Sequence, residues 1–201
     1  MYWLVIIIQI GEYLFDLLLD LLNVKASHRP IPRLLEGMYD DEAYARQQAY
    51  FRINKKVGFV TGFVTTALSV GLFAFGAYGW FDGVVREATD SDIWRTLLFF
   101  GFFGAISWLV SLPFDIYDTF VVEQRFGFNR VTPRLFVLDT LKSLALNIVL
   151  SGGLLALAVW IYQLTPQYFW LLAWGVLTLI MLFFQYFYSV LYFLFYFPIN
   201  Y

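Results

Sequence analysis

Apolar positions along this chain gather into five long runs, with shorter polar stretches between them. The runs are Tyr2–Leu22, Val57–Trp80, Thr96–Leu112, Leu135–Tyr162 and Tyr168–Phe197. A helix needs roughly 20 mostly apolar residues to cross a bilayer, and each run approaches or exceeds that length. The third is short and is expected to gain a turn at either end. The fifth is long enough to tilt, kink or project beyond the bilayer. The pattern predicts an all-α, polytopic membrane helical bundle of about five transmembrane helices, with residues 1–201 forming a single transmembrane domain.

The first run is interrupted in a regular way. Glu12, Asp16 and Asp20 recur every four residues, so on a helix they form one stripe. Glu12 lies roughly 16 Å from the chain start, near mid-bilayer. An ionisable group there costs at least ~2.5 kcal/mol unless it faces protein or water. The three acids are therefore expected to line a hydrated cavity. The bland alternative is a set of neutral or internally paired carboxyls, with Asp20 at the interface.

The connections carry their own signals. In Asn23–Lys56, Pro30 and Pro32 forbid a helix across them. Asp40 suits an N-cap, with Asp41 and Glu42 in the first turn. The helix so begun is expected to run through Lys55 and Lys56 into the second span. Gly58-x-x-x-Gly62 opens that span and allows close helix packing. The most polar connection is Ser111–Leu141. Pro113 is expected to open it, Gly127 to break two helical pieces, and Thr132 to cap a helix starting at Pro133. Asp139 and Lys142, three apart, can pair. Trp160, Tyr162, Tyr168, Phe169 and Trp170 flank Gln163–Gln167 as an interfacial aromatic belt.

Composition sharpens the membrane reading. Hydrophobic residues make up 61% of the chain and charged residues 14%, against about 45–50% and about 25% in soluble domains. The lipid bilayer is thus the first partner. A net charge of −2 offers no basic face for nucleic acid. With no Cys and a single His, His28, thiolate and multi-His metal sites and cysteine nucleophiles are excluded. The N-terminal run has no basic n-region or small-residue cleavage site, so it reads as a retained span. The first and third connections hold ten Lys and Arg, the second and fourth only Arg86 and Arg95. That asymmetry puts the N-terminus outside and the C-terminus in the cytoplasm.

The run Phe120-x-x-Glu123-x-x-Phe126-Gly127-Phe128-Asn129-x-x-Thr132 resembles the connector in the membrane domain of type I CAAX prenyl proteases. Leu112-Pro113-Phe114, Tyr117-x-Thr119-Phe120 and Glu36-Gly37-x-Tyr39-Asp40 fit the same family. These are integral-membrane zinc metalloendopeptidases that process prenylated or membrane proteins. The resemblance implies residence in a bacterial inner membrane or endoplasmic reticulum. It also implies a domain that lines an intramembrane chamber and supports a zinc protease domain. Glu12, Asp16 and Asp20 are then candidates for chamber lining. Glu123, Arg125, Phe126, Gly127, Phe128 and Asn129 are candidates for the connector and domain docking.

Catalysis in that family rests on His-Glu-x-x-His, where two His four apart bind zinc and the Glu activates water. No such motif stands in this sequence. The resemblance therefore covers the family's N-terminal membrane part only, and its cofactor, zinc, has no ligand set here. The chain alone is expected to be inactive. The segment Tyr192–Tyr201 also departs from the family's usual exit after the fifth helix. Two other readings stay open: a non-catalytic membrane scaffold or regulator, and a small transporter using the acidic stripe.

Overall fold

The computed structural model describes the backbone of residues 2–30, 37 and 40–196, and side chains as far as Tyr188. All regular structure among the described residues is helical. In order these are α1 (Tyr2–Ala26), α2 (Asp41–Ala74), α3 (Ala77–Ala88) and α4 (Asp92–Tyr117). A π-helical segment (Asp118–Glu123), the single turn α5 (Gln124–Phe126), α6 (Pro133–Leu164) and α7 (Phe169–Tyr196) follow. Four stretches are long and apolar enough to cross a membrane: α2, the continuous run Asp92–Phe126, α6, and α7 over Phe169–Tyr188. α1, with 25 residues, is about 37 Å long at ~1.5 Å per residue. It differs from the others in its acidic stripe.

The starts of these helices obey local rules. Asp40 is extended, and its carboxylate accepts from the backbone N–H of Glu42 and of Ala43. That satisfies two of the donors left over at a helix start. Thr132 does the same for Leu135 at 3.3 Å, with Pro133 in the first helical position. Gly127 closes α5 in the left-handed region, φ +75°. There a Cβ would crowd the following carbonyl oxygen.

Three expectations about boundaries need correction. The second span ends at Ala74, not Trp80, because Gly76 turns left-handed at φ +68°. Trp80 belongs instead to α3, a separate amphipathic helix. The third span grows well beyond Thr96–Leu112, from Asp92 to Phe126. Pro113 does not open a loop but lies inside α4. A proline costs one backbone hydrogen bond, whereas ending a helix at membrane depth would strand several.

The helices stand in a file. α1 packs on α2, α2 on α4, α4 on α6 and α6 on α7, while α3 bridges α2 and α4. Aromatic rings weld that bridge. Phe81 stacks on Phe102 at 3.9 Å and Tyr78 meets Phe103 at 4.4 Å. The file leaves much surface open. The accessible area is 15770 Å², against about 9,800 Å² expected for a compact 23.5 kDa monomer. Among the described residues only Ile6, Ser27, Val85, Val122 and Ile161 are buried. The segment Glu36–Tyr39 lies outside the described residues except for Gly37. The departure from the family's exit lies outside them from residue 197 onward.

Replacing Gly127 by Ala should lower the melting temperature in detergent. A left-handed backbone with a Cβ costs about 1–2 kcal/mol. Gly153→Ala is the control, since it sits in the interior of α6 with nothing within 4 Å of an added Cβ. It should melt at or above the parent temperature, and an equal loss in both variants would refute the turn-specific cost.

Candidate functional site

The acidic stripe opens onto a groove. Glu12, Asp16 and Asp20 line a cavity of about 460 Å³ between α1 and α2, with Gln9, Thr65 and Ser69 among the other walls. The two helices are held together at both ends of this groove. At one end Tyr2 donates its hydroxyl to Ala74 O at 2.7 Å, and its ring stacks on Phe73 at 5.1 Å. That hydroxyl satisfies a carbonyl which the end of α2 leaves without a helical partner. At the other end Lys55 Nζ meets Asp20 Oδ1 at 2.6 Å, and Arg52 donates to Ser27 O at 3.1 Å. Between them Gly62 makes room for Tyr13, whose ring lies 3.3 Å from where a Cβ would stand. Gly58 has no such neighbour. Only the second glycine of the pair is used for this close approach.

Lys55 pairs with Asp20 alone, so the stripe is split. Glu12 and Asp16 make no ion pair among the described residues. Gln9 was not singled out in the sequence, and it extends the groove outward from Glu12, accepting from Ser69 Oγ at 3.4 Å. Its signal was available, since Gln9 precedes Glu12 by three positions on the same helix. Thr61, Thr65 and Ser69 likewise recur every four residues along α2. Leu14 and Leu18 point away from the groove and are exposed.

The connector packs two of its rings against α2. Phe126 and Phe128 both set their edges against Tyr50 of α2, at 5.4 and 4.9 Å. Gly127 lets the chain turn between them, so that the two rings lie nearly parallel, 6.4 Å apart. Glu123 O accepts from Phe128 N and Asn129 N. Asn129 Oδ1 accepts from Val131 N at 2.6 Å, a local turn that aims the chain at Thr132. Val122, just before, is almost fully buried. Phe126 and Phe128 thus anchor the connector on α2, while Arg125 and Gly127 are exposed. The Tyr50 contact is what sequence reasoning missed, because nothing local marks a partner so distant along the chain.

A second groove was also missed. It lies between α4 and α6, and the cavity there is about 1310 Å³. Asp115, Thr119 and Glu123 line one side, and Asp139, Ser143 and Asn147 the other. Both triplets have four-residue spacing. Polar stripes therefore stand on more than the first span.

No three His, Cys, Asp or Glu side chains among the described residues converge as a metal site. His28 Nδ1 is engaged with Val24 O at 2.9 Å. These residues do not fit a zinc centre, which takes His, Cys or carboxylate ligands around an open position. Outside the spans, Asp82 hydrogen-bonds Arg86 at 2.7 Å and raises its pKa.

Comparison with known proteins agrees with the helical membrane fold. Residues 20–193 match the family model described as CAAX prenyl protease N-terminal, five membrane helices. The chain is 30% identical over 187 residues to the CAAX prenyl protease 1 homolog of Arabidopsis thaliana, covering 87% of this chain and 44% of that protein. It is 30% identical over 155 residues to CAAX prenyl protease 1 of Saccharomyces cerevisiae, covering 72% and 34%. The crystal structure of S. mikatae Ste24p superposes with a TM-score of 0.79 at 25% identity, over 95% of this chain and 47% of that one. The chain spans less than half the length of these relatives. These matches make the chain a member of the CAAX prenyl protease family, corresponding to that family's N-terminal membrane domain.

Proposed function

We propose that this domain forms one wall of a hydrated intramembrane chamber, completed by a zinc protease half that prenylated or membrane protein substrates must reach. The observation that carries this reading is the α1–α2 groove. Its polar lining of Gln9, Glu12, Asp16 and Ser69 would be costly against lipid. The open file of helices supports it too. Its accessible area, far above that of a compact monomer, leaves surface for lipid and for a further domain to cover. In this reading the domain contributes no catalytic residue. It holds carboxylates where water can reach them, and it presents the Tyr50–Phe126–Phe128 unit as a rigid docking point. The relatives named above are CAAX prenyl proteases, which is the support for zinc and for the substrate class. The scaffold and transporter readings have no comparable support, and no internal repeat favours a transporter.

The orientation belongs to the same proposal. The Lys and Arg bias sets α1's start outside and α7's end in the cytoplasm. Single cysteines at His28, Thr89 and Gln167 should label from opposite faces of sealed vesicles, the first cytoplasmic and the other two external. His28 is chosen over Ser27, which is buried with its hydroxyl bonded to Val24 O. Cytoplasmic labelling at position 89 would invert the topology and remove the proposal's geometry.

The chamber itself is tested within the bilayer. Glu12→Cys should react readily with a small polar thiol reagent, and Leu14→Cys and Leu18→Cys slowly, since only the first lines the groove. Equal protection at positions 12 and 14 would mean a dry seam between α1 and α2.

A further inference from the structure

α3 holds 12 residues, about 18 Å of helix, which is too short to cross a bilayer. It nevertheless begins at membrane depth. Near its start, Tyr78 packs on Phe103 at 4.4 Å and Phe81 stacks on Phe102 at 3.9 Å. Both partners lie about three turns into α4, within the apolar run that begins at Thr96. Just past the other end of α3, Thr89 O accepts from Arg95 Nε at 2.8 Å, in the first turn of α4. α3 therefore rises beside α4 from within the bilayer toward its surface.

Three edges of α3 meet different surroundings. Tyr78, Phe81 and Val85, spaced by three and four, form the packed edge, and Val85 is 3% exposed. Trp80 and Val84 form a second edge, 66% and 43% exposed. Asp82 and Arg86 form the third and pair at 2.7 Å with both side chains open. At 3.6 residues per turn Val84 and Arg86 stand about 200° apart, one on either side of the packed edge. Glu87, two turns beyond Trp80, ends the apolar edge where the helix nears its connection to α4. The two outer edges suit different solvents. Seams between membrane helices favour small residues that let backbones approach, whereas Trp80 and Val84 project and suit lipid chains. An open ion pair beside Phe81 is costly against lipid and at ease in water.

We propose that α3 sorts the two broad faces of the file: its Trp80–Val84 edge is a lipid-binding surface set among acyl chains, and its Asp82–Arg86 edge faces water. Lipid then covers one side of the α2–α4 pair and water reaches the other, because α3 packs on both helices and presents its two outer edges in opposite directions. The inference rests on membrane embedding and not on the α1–α2 chamber, which labelling at position 12 reads separately.

The chain has no Cys, so a single introduced cysteine carries a spin label without background. Val84→Cys and Arg86→Cys are made in the full chain and reconstituted in phosphatidylcholine vesicles. Collisions with molecular oxygen, which concentrates among acyl chains, are compared with collisions with a water-soluble nickel chelate. The oxygen-to-nickel ratio should be severalfold higher at position 84 than at position 86. Equal ratios overturn the proposal. An immobile label at position 84 screened from both reagents also overturns it, since a protein segment would then cover that edge. A second measurement leaves Val84 and Arg86 intact. The fluorescence that Trp80→Phe removes should be quenched by acyl-brominated phosphatidylcholine and spared by aqueous iodide. Quenching by iodide in place of bromine, or by neither, overturns the proposal.

Discussion

Every backbone polar group at membrane depth must find its partner within the chain, and this constraint shapes the whole molecule. It makes the spans helical and makes them long. It explains why α4 continues through Pro113 and on through a π-helical segment to Phe126. It also explains why the two clear breaks fall at Gly76 and Gly127, where the left-handed turn is cheap. The break at Gly76 is where the chain leaves α2 and lays the short amphipathic α3 across the α2–α4 pair.

In lipid the hydrophobic effect does little to hold one apolar helix against another, so association falls to packing, rings and hydrogen bonds. The described seams are built from these. The α1–α2 seam relies on the Tyr2 hydroxyl at one end and the Lys55–Asp20 and Arg52–Ser27 contacts at the other, with Tyr13 over Gly62 between. The α3–α4 seam is a cluster of Phe and Tyr rings. The Lys55–Asp20 pair is part-exposed, and such pairs are worth about 0–1 kcal/mol. Its role is therefore better seen as setting the register of α1 on α2 than as a large source of stability.

A file of helices held only by such seams has two broad faces. Two polar grooves open between its members, one between α1 and α2 and one between α4 and α6. The connector packs its Phe rings on Tyr50, so the segment that most resembles the family is also the one that ties the middle of the file together. An extended wall of this kind suits a chain that corresponds to the N-terminal domain of much longer relatives.

Local rules written in neighbouring residues determined much of this protein. The all-helical membrane fold, the caps at Asp40 and at Thr132–Pro133, the turn at Gly127 and the shared face of Glu12, Asp16 and Asp20 follow from hydropathy, backbone geometry and helical period. So did the family resemblance, carried by a short motif. The tertiary structure alone decided what meets what. It paired Lys55 with Asp20, placed Tyr50 beneath Phe126 and Phe128, extended the acidic groove to Gln9 and Ser69, and opened the α4–α6 groove. It also ended the second span at Ala74, ahead of the turn at Gly76, where an isolated glycine in an apolar run gives no sign of which way the chain will turn. The physical reason is common to all of these. Helical period fixes which residues share a face, but which two faces meet depends on packing between segments far apart in the chain.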